Sequence, residues 1–576
     1  MGHRQNEAAS RHVYVPDPAR AIACGPPLRD EEGLGPLTLP GFLRSVFAEF
    51  APREALVEHR EDGTVVRWSY ADLLEHSLAV AKALTGANLG KGERVGILMT
   101  NRPEFLAAVF GTAMAGGVAA PLSTFSTPDE LAHILSASAC SVLLMERQVL
   151  RKDFASDLCE LDPAIAKGAA GKLQSQRFPF LRLIAALDIK DPRGAIEAWP
   201  AFLARGCNVA ESVVCAREAT VLPADPGVLF FSSGSTAKPK GILSAHRGVS
   251  IQLWRMGQQQ RLDDGVRSWT ANGFFWSGNF AMVVGGTLSR GGAMILQRTF
   301  QPAEAIDLME RERATFLFAW PHQWEQLLTA PNWSGADLSA LVHVDRNSPI
   351  ARHPTINTDW LEPAYCYGNT ETFTLSTGYP ANTPQDVAQG SHGLPFPGNV
   401  VRIVDPVSGE TLPCGEEGEI AIKGPTLMLG YLGIPLDETL DDEGYFRTGD
   451  GGHIDDEGRL FWKGRLNDII KTGGANVSPL EIDEAIRALP AVKLSQTVGL
   501  PHETLGEIVV SCLVLHEGET PDEAAVRTAL KQRLASYKVP RRVLFLDEDE
   551  LETTGSAKIK TAQLRTLAMQ RLEAGD

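Results

Sequence analysis

The chain has 576 residues, 44% of them hydrophobic and 22% charged, with a formal net charge of −17. At about 100–200 residues per domain that length calls for three or four compact units, and the composition is that of packed globular proteins, which excludes disordered and fibrous classes. Acidic residues spread along the whole sequence argue against nucleic acid as a partner, because phosphate backbones are bound by clustered Lys and Arg.

The first dozen residues, MGHRQNEAASRH, are polar and lack the apolar stretch of a secretory signal, so a cytoplasmic location is expected. Eight cysteines are scattered without metal-like spacing and read as reduced, mostly buried thiols. Residues 94–99 read as a strand, a helix follows from about Pro103, and 118–122 read as a strand again. Such alternation through the first 400 residues predicts parallel sheets covered by helices. Residues 105–122 are uncharged over 18 positions and raise the question of a membrane span. Gly116, Gly117 and Pro121 break that run into helix, turn and strand, so no transmembrane segment is predicted. The polar stretch 153–176 reads as a surface excursion. Residues 228–231 read as a buried strand. From Val400 the texture changes to closely spaced strands and turns, a small β subdomain at about 400–463. Beyond Gly464, helices over 479–489 and 522–534 alternate with strands over 508–515 and 542–546, enough for a small α+β domain. The fold class is therefore α/β: a large N-terminal domain (1–466) of parallel-rich sheets plus the β subdomain, then a small α+β C-terminal domain (467–576).

The strand at 228–231 runs into Ser232-Ser233-Gly234-Ser235-Thr236-Ala237-Lys238-Pro239-Lys240-Gly241. Hydroxyls and backbone N–H groups gathered in such a loop can wrap an anion, although composition alone favours a flexible Ser/Gly surface loop. The P-loop spacing G-x-x-x-x-G-K-S/T is absent. With one departure, Ala237, the segment resembles the signature loop of the adenylate-forming superfamily, which includes acyl-CoA synthetases, nonribosomal peptide adenylation domains and firefly luciferase. Further motifs follow in that family's order: Tyr367-Gly368-Asn369-Thr370-Glu371; the framework from Gly390 to Tyr431; Tyr445-Phe446-Arg447-Thr448-Gly449-Asp450; Gly464-Arg465-Leu466-Asn467-Asp468; and Thr554-Gly555-Ser556-Ala557-Lys558-Ile559.

The resemblance implies attack of a carboxylate on the α-phosphorus of ATP to give an acyl-adenylate, a reaction of two anions that depends on positioning and charge neutralisation. It implies that Ser232, Ser233, Gly234, Ser235, Thr236 and Lys240 hold the phosphates, with Thr236 and Glu371 near Mg²⁺. Gly368 and Thr370 belong to the same nucleotide site, where Tyr367 stacks on adenine or packs in the core. Asp450 accepts from the ribose hydroxyls, with Arg465 assisting. Lys558 stabilises charge at the reacting carboxylate and α-phosphate. A second half-reaction with coenzyme A follows rotation of a mobile C-terminal domain about Asn467, and Gly474 borders the thiol channel.

Residues 274–280, FFWSGNF, hold no acid to pair with a substrate ammonium, which disfavours an α-amino acid. Trp276, Phe280 and Trp320 are the candidates to line an acyl pocket for a fatty, aryl or polycyclic acid. His343 and Arg346 are further candidates to meet a polar group on it. An acyl-CoA synthetase is the leading reading; loading of a carrier protein in trans and a luciferase-like oxygenase are the rivals. The sequence ends 16 residues after Lys560 without a carrier domain, which favours CoA. A homodimer stays open.

Overall fold

The computed structural model describes residues 17, 19–231, 239–363, 365–468, 470–472, 475–502, 505–534, 538–552 and 559–574. An eight-stranded sheet runs in the order Ile196–Ala198, Leu183–Leu187, Val142–Glu146, Arg94–Leu98, Val118–Pro121, Pro226–Phe231, Gly241–Ala245 and Gly430–Tyr431. Its first six strands are parallel and its last two antiparallel. A second sheet is ordered Phe316–Phe318, Arg267–Thr270, Ala293–Leu296, Glu54–His59, Val65–Ser69, parallel until the last, antiparallel strand. The sheets are thus mixed: parallel centres carry antiparallel edges, of which Pro226–Phe231 with Gly241–Ala245 and Glu54–His59 with Val65–Ser69 are consecutive in the chain, while Gly430–Tyr431 joins from far downstream.

Helices Tyr70–Gly86 and Pro128–Ser138 both open on capping boxes, Ser69 with Asp72 and Thr127 with Glu130, each satisfying orphan N–H groups at the helix start. Helix Pro103–Met114 is buried at every position but Glu104 and belongs to a core cluster shared with both large sheets. Gly116, at φ +78°, ends the climb from that helix and lets the chain re-enter the sheet at Val118, so the apolar run is helix, turn and strand as expected. Among the described residues no helix is long and apolar enough to cross a membrane.

Three expectations need correction. The 153–176 stretch is not a plain surface excursion: it forms helices Phe154–Leu161 and Pro163–Lys167, and Phe154, Leu158 and Ile165 are buried against the eight-stranded sheet. Its few apolar residues fall on one helical face, which its overall polarity masks. The antiparallel sheet of Val400–Val404, Gly418–Lys423, Phe446–Ile454 and Leu460–Arg465 takes an edge strand from far upstream, Ile22–Cys24. The cysteines are all free, but only Cys140 and Cys512 are buried, while Cys207 and Cys215 are exposed.

A smaller C-terminal domain follows the N-terminal one. Strands Ile470–Thr472, Ala475–Val477, Val492–His502, Gly506–Leu515 and Arg542–Phe545 form its sheet, and Ile482 and Ile486 of helix Pro479–Arg487 share a cluster with Val509, Leu513 and Val543.

Candidate active site

The strand Pro226–Phe231 pairs antiparallel with Gly241–Ala245, Phe231 opposite Gly241, so the loop candidate is the connection of a hairpin in the large sheet. Ser232, Ser233, Gly234, Ser235 and Thr236 lie outside the described residues, as do Gly474 and Lys558. Asn467 is described through its backbone alone, in the turn Leu466–Asp468. Lys240, past the loop, places its ammonium 5.1 Å from the centre of the Tyr431 ring. Tyr431 stands on the next strand, and its hydroxyl donates to Glu371 Oε1 at 2.6 Å. Burial first and Glu371 second push the Tyr431 phenol well above its ordinary value, so it stays a donor.

Glu371 sits in a single 3₁₀ turn, Thr370–Thr372, closed by reciprocal bonds between Asn369 and Thr372. The chain leaves the turn through Phe373 and Thr374 at φ +47° and +93°, which folds Thr374 back over Gly368. A Cβ on Gly368 would stand 1.9 Å from the Thr374 carbonyl oxygen; any side chain there would open the turn and move Glu371. Glu371 is half-buried.

Asp450, on Phe446–Ile454, faces Arg465 in register at the end of Leu460–Arg465. Arg465 Nε lies 2.9 Å from Asp450 Oδ1, and the guanidinium also donates to the Thr448 carbonyl at 3.1 Å. Tyr367 donates its hydroxyl to Asp450 Oδ2 at 2.5 Å. Burial pushes the Asp450 carboxyl up, Arg465 and then Tyr367 pull it back down, and Glu371 adds to the upward push. Glu371, Tyr431, Asp450, Arg465 and Tyr367 are therefore one electrostatic cluster. The Tyr367 ring itself is packed at 6% exposure in a cluster with Val401, Ile403 and Ile420, and its hydroxyl makes the bond to Asp450 that the motif did not reveal. Tyr431 was visible only as the last letter of the framework motif.

Phe230, one residue before the end of its strand, packs against Phe280 at 6.2 Å and Phe373 at 5.8 Å, joining the loop strand, the FFWSGNF segment and the Glu371 turn. Phe280 is fully buried and opens a π-helical stretch, Phe280–Gly285, a geometry that recurs at functional sites. Trp276 is half-buried and Trp320 is 49% exposed. His343 is buried and turned to Asp263, 3.6 Å away, while Arg346 is exposed and reaches the Asp359 carbonyl at 3.5 Å.

The Asp450 carboxylate keeps acceptor capacity beyond Tyr367 and Arg465, which fits a ribose diol. Glu371 gives one oxygen to Tyr431 and no described group donates to the other, which fits the single carboxylate that Mg²⁺ takes beside phosphate and water.

Residues 43–432 match the family described as AMP-binding enzyme, and 481–558 match the AMP-binding enzyme C-terminal domain. Feruloyl-CoA synthase of Amycolatopsis sp is 30% identical over 530 residues, covering 90% of this chain and 96% of that protein. Indoleacetate–CoA ligase of Aromatoleum aromaticum is 30% identical over 507 residues, covering 87% and 94%. Among solved structures, ATP-bound MatB from Rhodopseudomonas palustris superposes with a TM-score of 0.71 at 25% identity, over 92% of this chain and 98% of that one.

Proposed function

The chain belongs to the AMP-binding enzyme family as an AMP-forming acid–CoA ligase, and we propose that its acid is a hydrophobic fatty, aryl or polycyclic carboxylate. The observation that carries the mechanism is the buried Asp450, held by Tyr367 and Arg465 and electrostatically joined to Glu371. A carboxylate desolvated this way costs free energy unless it is paired, and it is oriented to accept from a diol.

In the first step the acid's carboxylate oxygen bonds to the α-phosphorus of ATP and the bond to the bridging oxygen breaks, releasing pyrophosphate. Ser232, Ser233, Gly234, Ser235, Thr236 and Lys240 hold the phosphates, and Asp450 with Arg465 holds the ribose. Glu371 and Thr236 would hold a magnesium ion, which would supply neutralisation of phosphate charge. Tyr431 fixes the Glu371 carboxylate, and Gly368 and Thr370 keep its turn closed. Lys558 meets the charge that develops at the reacting oxygens. In the second step the thiol of coenzyme A attacks the acyl carbon and AMP leaves. For this the C-terminal unit, 467–576, turns about Asn467 and brings Gly474 to the thiol path. The eight free thiols support a reducing, cytoplasmic setting.

The hydrophobic acid is read from Trp276, Phe280 and Trp320 together with the lack of any acidic residue in 274–280. The test is pyrophosphate release with fatty, aryl and polycyclic acids, with and without CoA. A CoA-dependent thioester is expected; its absence with every acid, or transfer only to a carrier protein, would refute the CoA reading.

A further inference from the structure

The aromatic positions assigned to the acid come from two separate stretches of chain, yet one set of buried amides joins them. The Asn272 carbonyl accepts twice, from Asn101 Nδ2 at 2.8 Å and from Asn279 Nδ2 at 2.7 Å. Asn101 Oδ1 in turn accepts the Phe274 N–H at 2.8 Å. Gln323 Nε2 donates to Asn272 Oδ1 at 3.2 Å, while Gln323 Oε1 accepts the Trp320 N–H at 2.8 Å. All four amides are at most 8% exposed. Asn101 is held from behind, because Thr100 and Arg102 on either side of it both bond to the buried Glu146. At the other end Thr374, three residues past Glu371, donates to the Ser277 carbonyl at 3.2 Å.

Apolar packing sets which surfaces touch, but hydrogen bonds between amides are directional and set where each strand of chain stands. We propose that Asn101, Asn272, Asn279 and Gln323 are positioning residues that decide acid selectivity: they set the distance between the Trp276–Phe280 segment and Trp320 without touching the acid. The proposal rests on the reading that those aromatics line the acyl pocket.

Gln323→Met keeps the length of the side chain and removes both of its bonds. Across a series of fatty and aryl acids, the acid KM should rise about tenfold or more, as the loss of two buried hydrogen bonds allows, and the ranking of acids should change. The KM for ATP should stay within about twofold. In a Trp320→Ala background the same substitution should add nothing, because no ring is left to position. Additive effects in that cycle, or an equal loss for every acid and for ATP, would overturn the proposal and leave a purely structural role. Asn101→Ala probes the other branch in the same way, and Gln323→Met, in the first turn of Pro321–Leu328, keeps the test decisive if Asn101→Ala does not fold. Trp276→Ala and Trp320→Ala separate the two ideas. If neither moves the ranking, the pocket reading fails; if they move it and Gln323→Met does not, only the amide proposal fails.

Discussion

Replacing Tyr367 by Phe removes one oxygen atom and nothing else, at a place where the geometry makes that oxygen count. Tyr367 and Asp450 are both buried, and the phenol donates to the carboxylate at 2.5 Å. A hydrogen bond to a charged group contributes about 1.5–3 kcal/mol, so if it holds Asp450 in place for the ribose, the KM for ATP should rise by roughly 10- to 100-fold. The substitution also has a pH signature. Burial pushes the Asp450 carboxyl up, and Arg465 and Tyr367 oppose that push. Without the phenol the carboxyl rises further and takes up its proton at higher pH, and the protonated form accepts poorly from a diol. The acid limb of kcat/KM for ATP should therefore move to higher pH in Tyr367→Phe. The assay is pyrophosphate release at saturating acid with ATP varied across that limb, beside a thermal melt. A variant with wild-type KM for ATP and an unmoved acid limb would refute the reasoning, and a lowered Tm with both unchanged would reduce Tyr367 to a packing role.

Asp483 offers a second pH test, away from the active site. Burial raises its carboxyl from 3.8 to about 6 against the bonds from Thr497, so the folded state binds its proton more tightly than the unfolded chain does. Stability from this group is therefore present in acid and is lost as pH rises from about 4 through about 6, by an amount of order 2–3 kcal/mol. Denaturant unfolding of wild type and Asp483→Asn over that window should show wild type losing stability relative to the variant by that amount as pH rises; equal slopes would refute it. For Lys558→Ala, adenylation should collapse while thioester formation from supplied acyl-adenylate and CoA persists. Equal loss of both steps, followed as pyrophosphate and as thioester, would contradict the two-conformation scheme.

Much of the local structure was legible in the sequence because local rules decide it. The split of 105–122 into helix, turn and strand depends on residues a few positions apart, Gly116, Gly117 and Pro121. Polarity misled at 153–176, where the average over a segment hid a sparse apolar face. The strand Ile22–Cys24 is three residues long, too short for any alternation to register, and its place beside Val400–Val404 is set by a sheet edge built much later in the chain.

What the sequence determined by itself is the chemistry on offer: hydroxyls, carboxylates and lysines in a fixed order, each bearing a motif's role. What tertiary structure decided is which of them meet. Tyr367 and Asp450 are 83 residues apart, Glu371 and Tyr431 are 60 apart, and Asn101 and Asn272 are 171 apart. Nothing local couples such pairs. In sequence a Tyr reads as core and an Asn as a turn former; burial then removes water as the competing partner, and the only partners left are those that the packing of the sheets brings within reach.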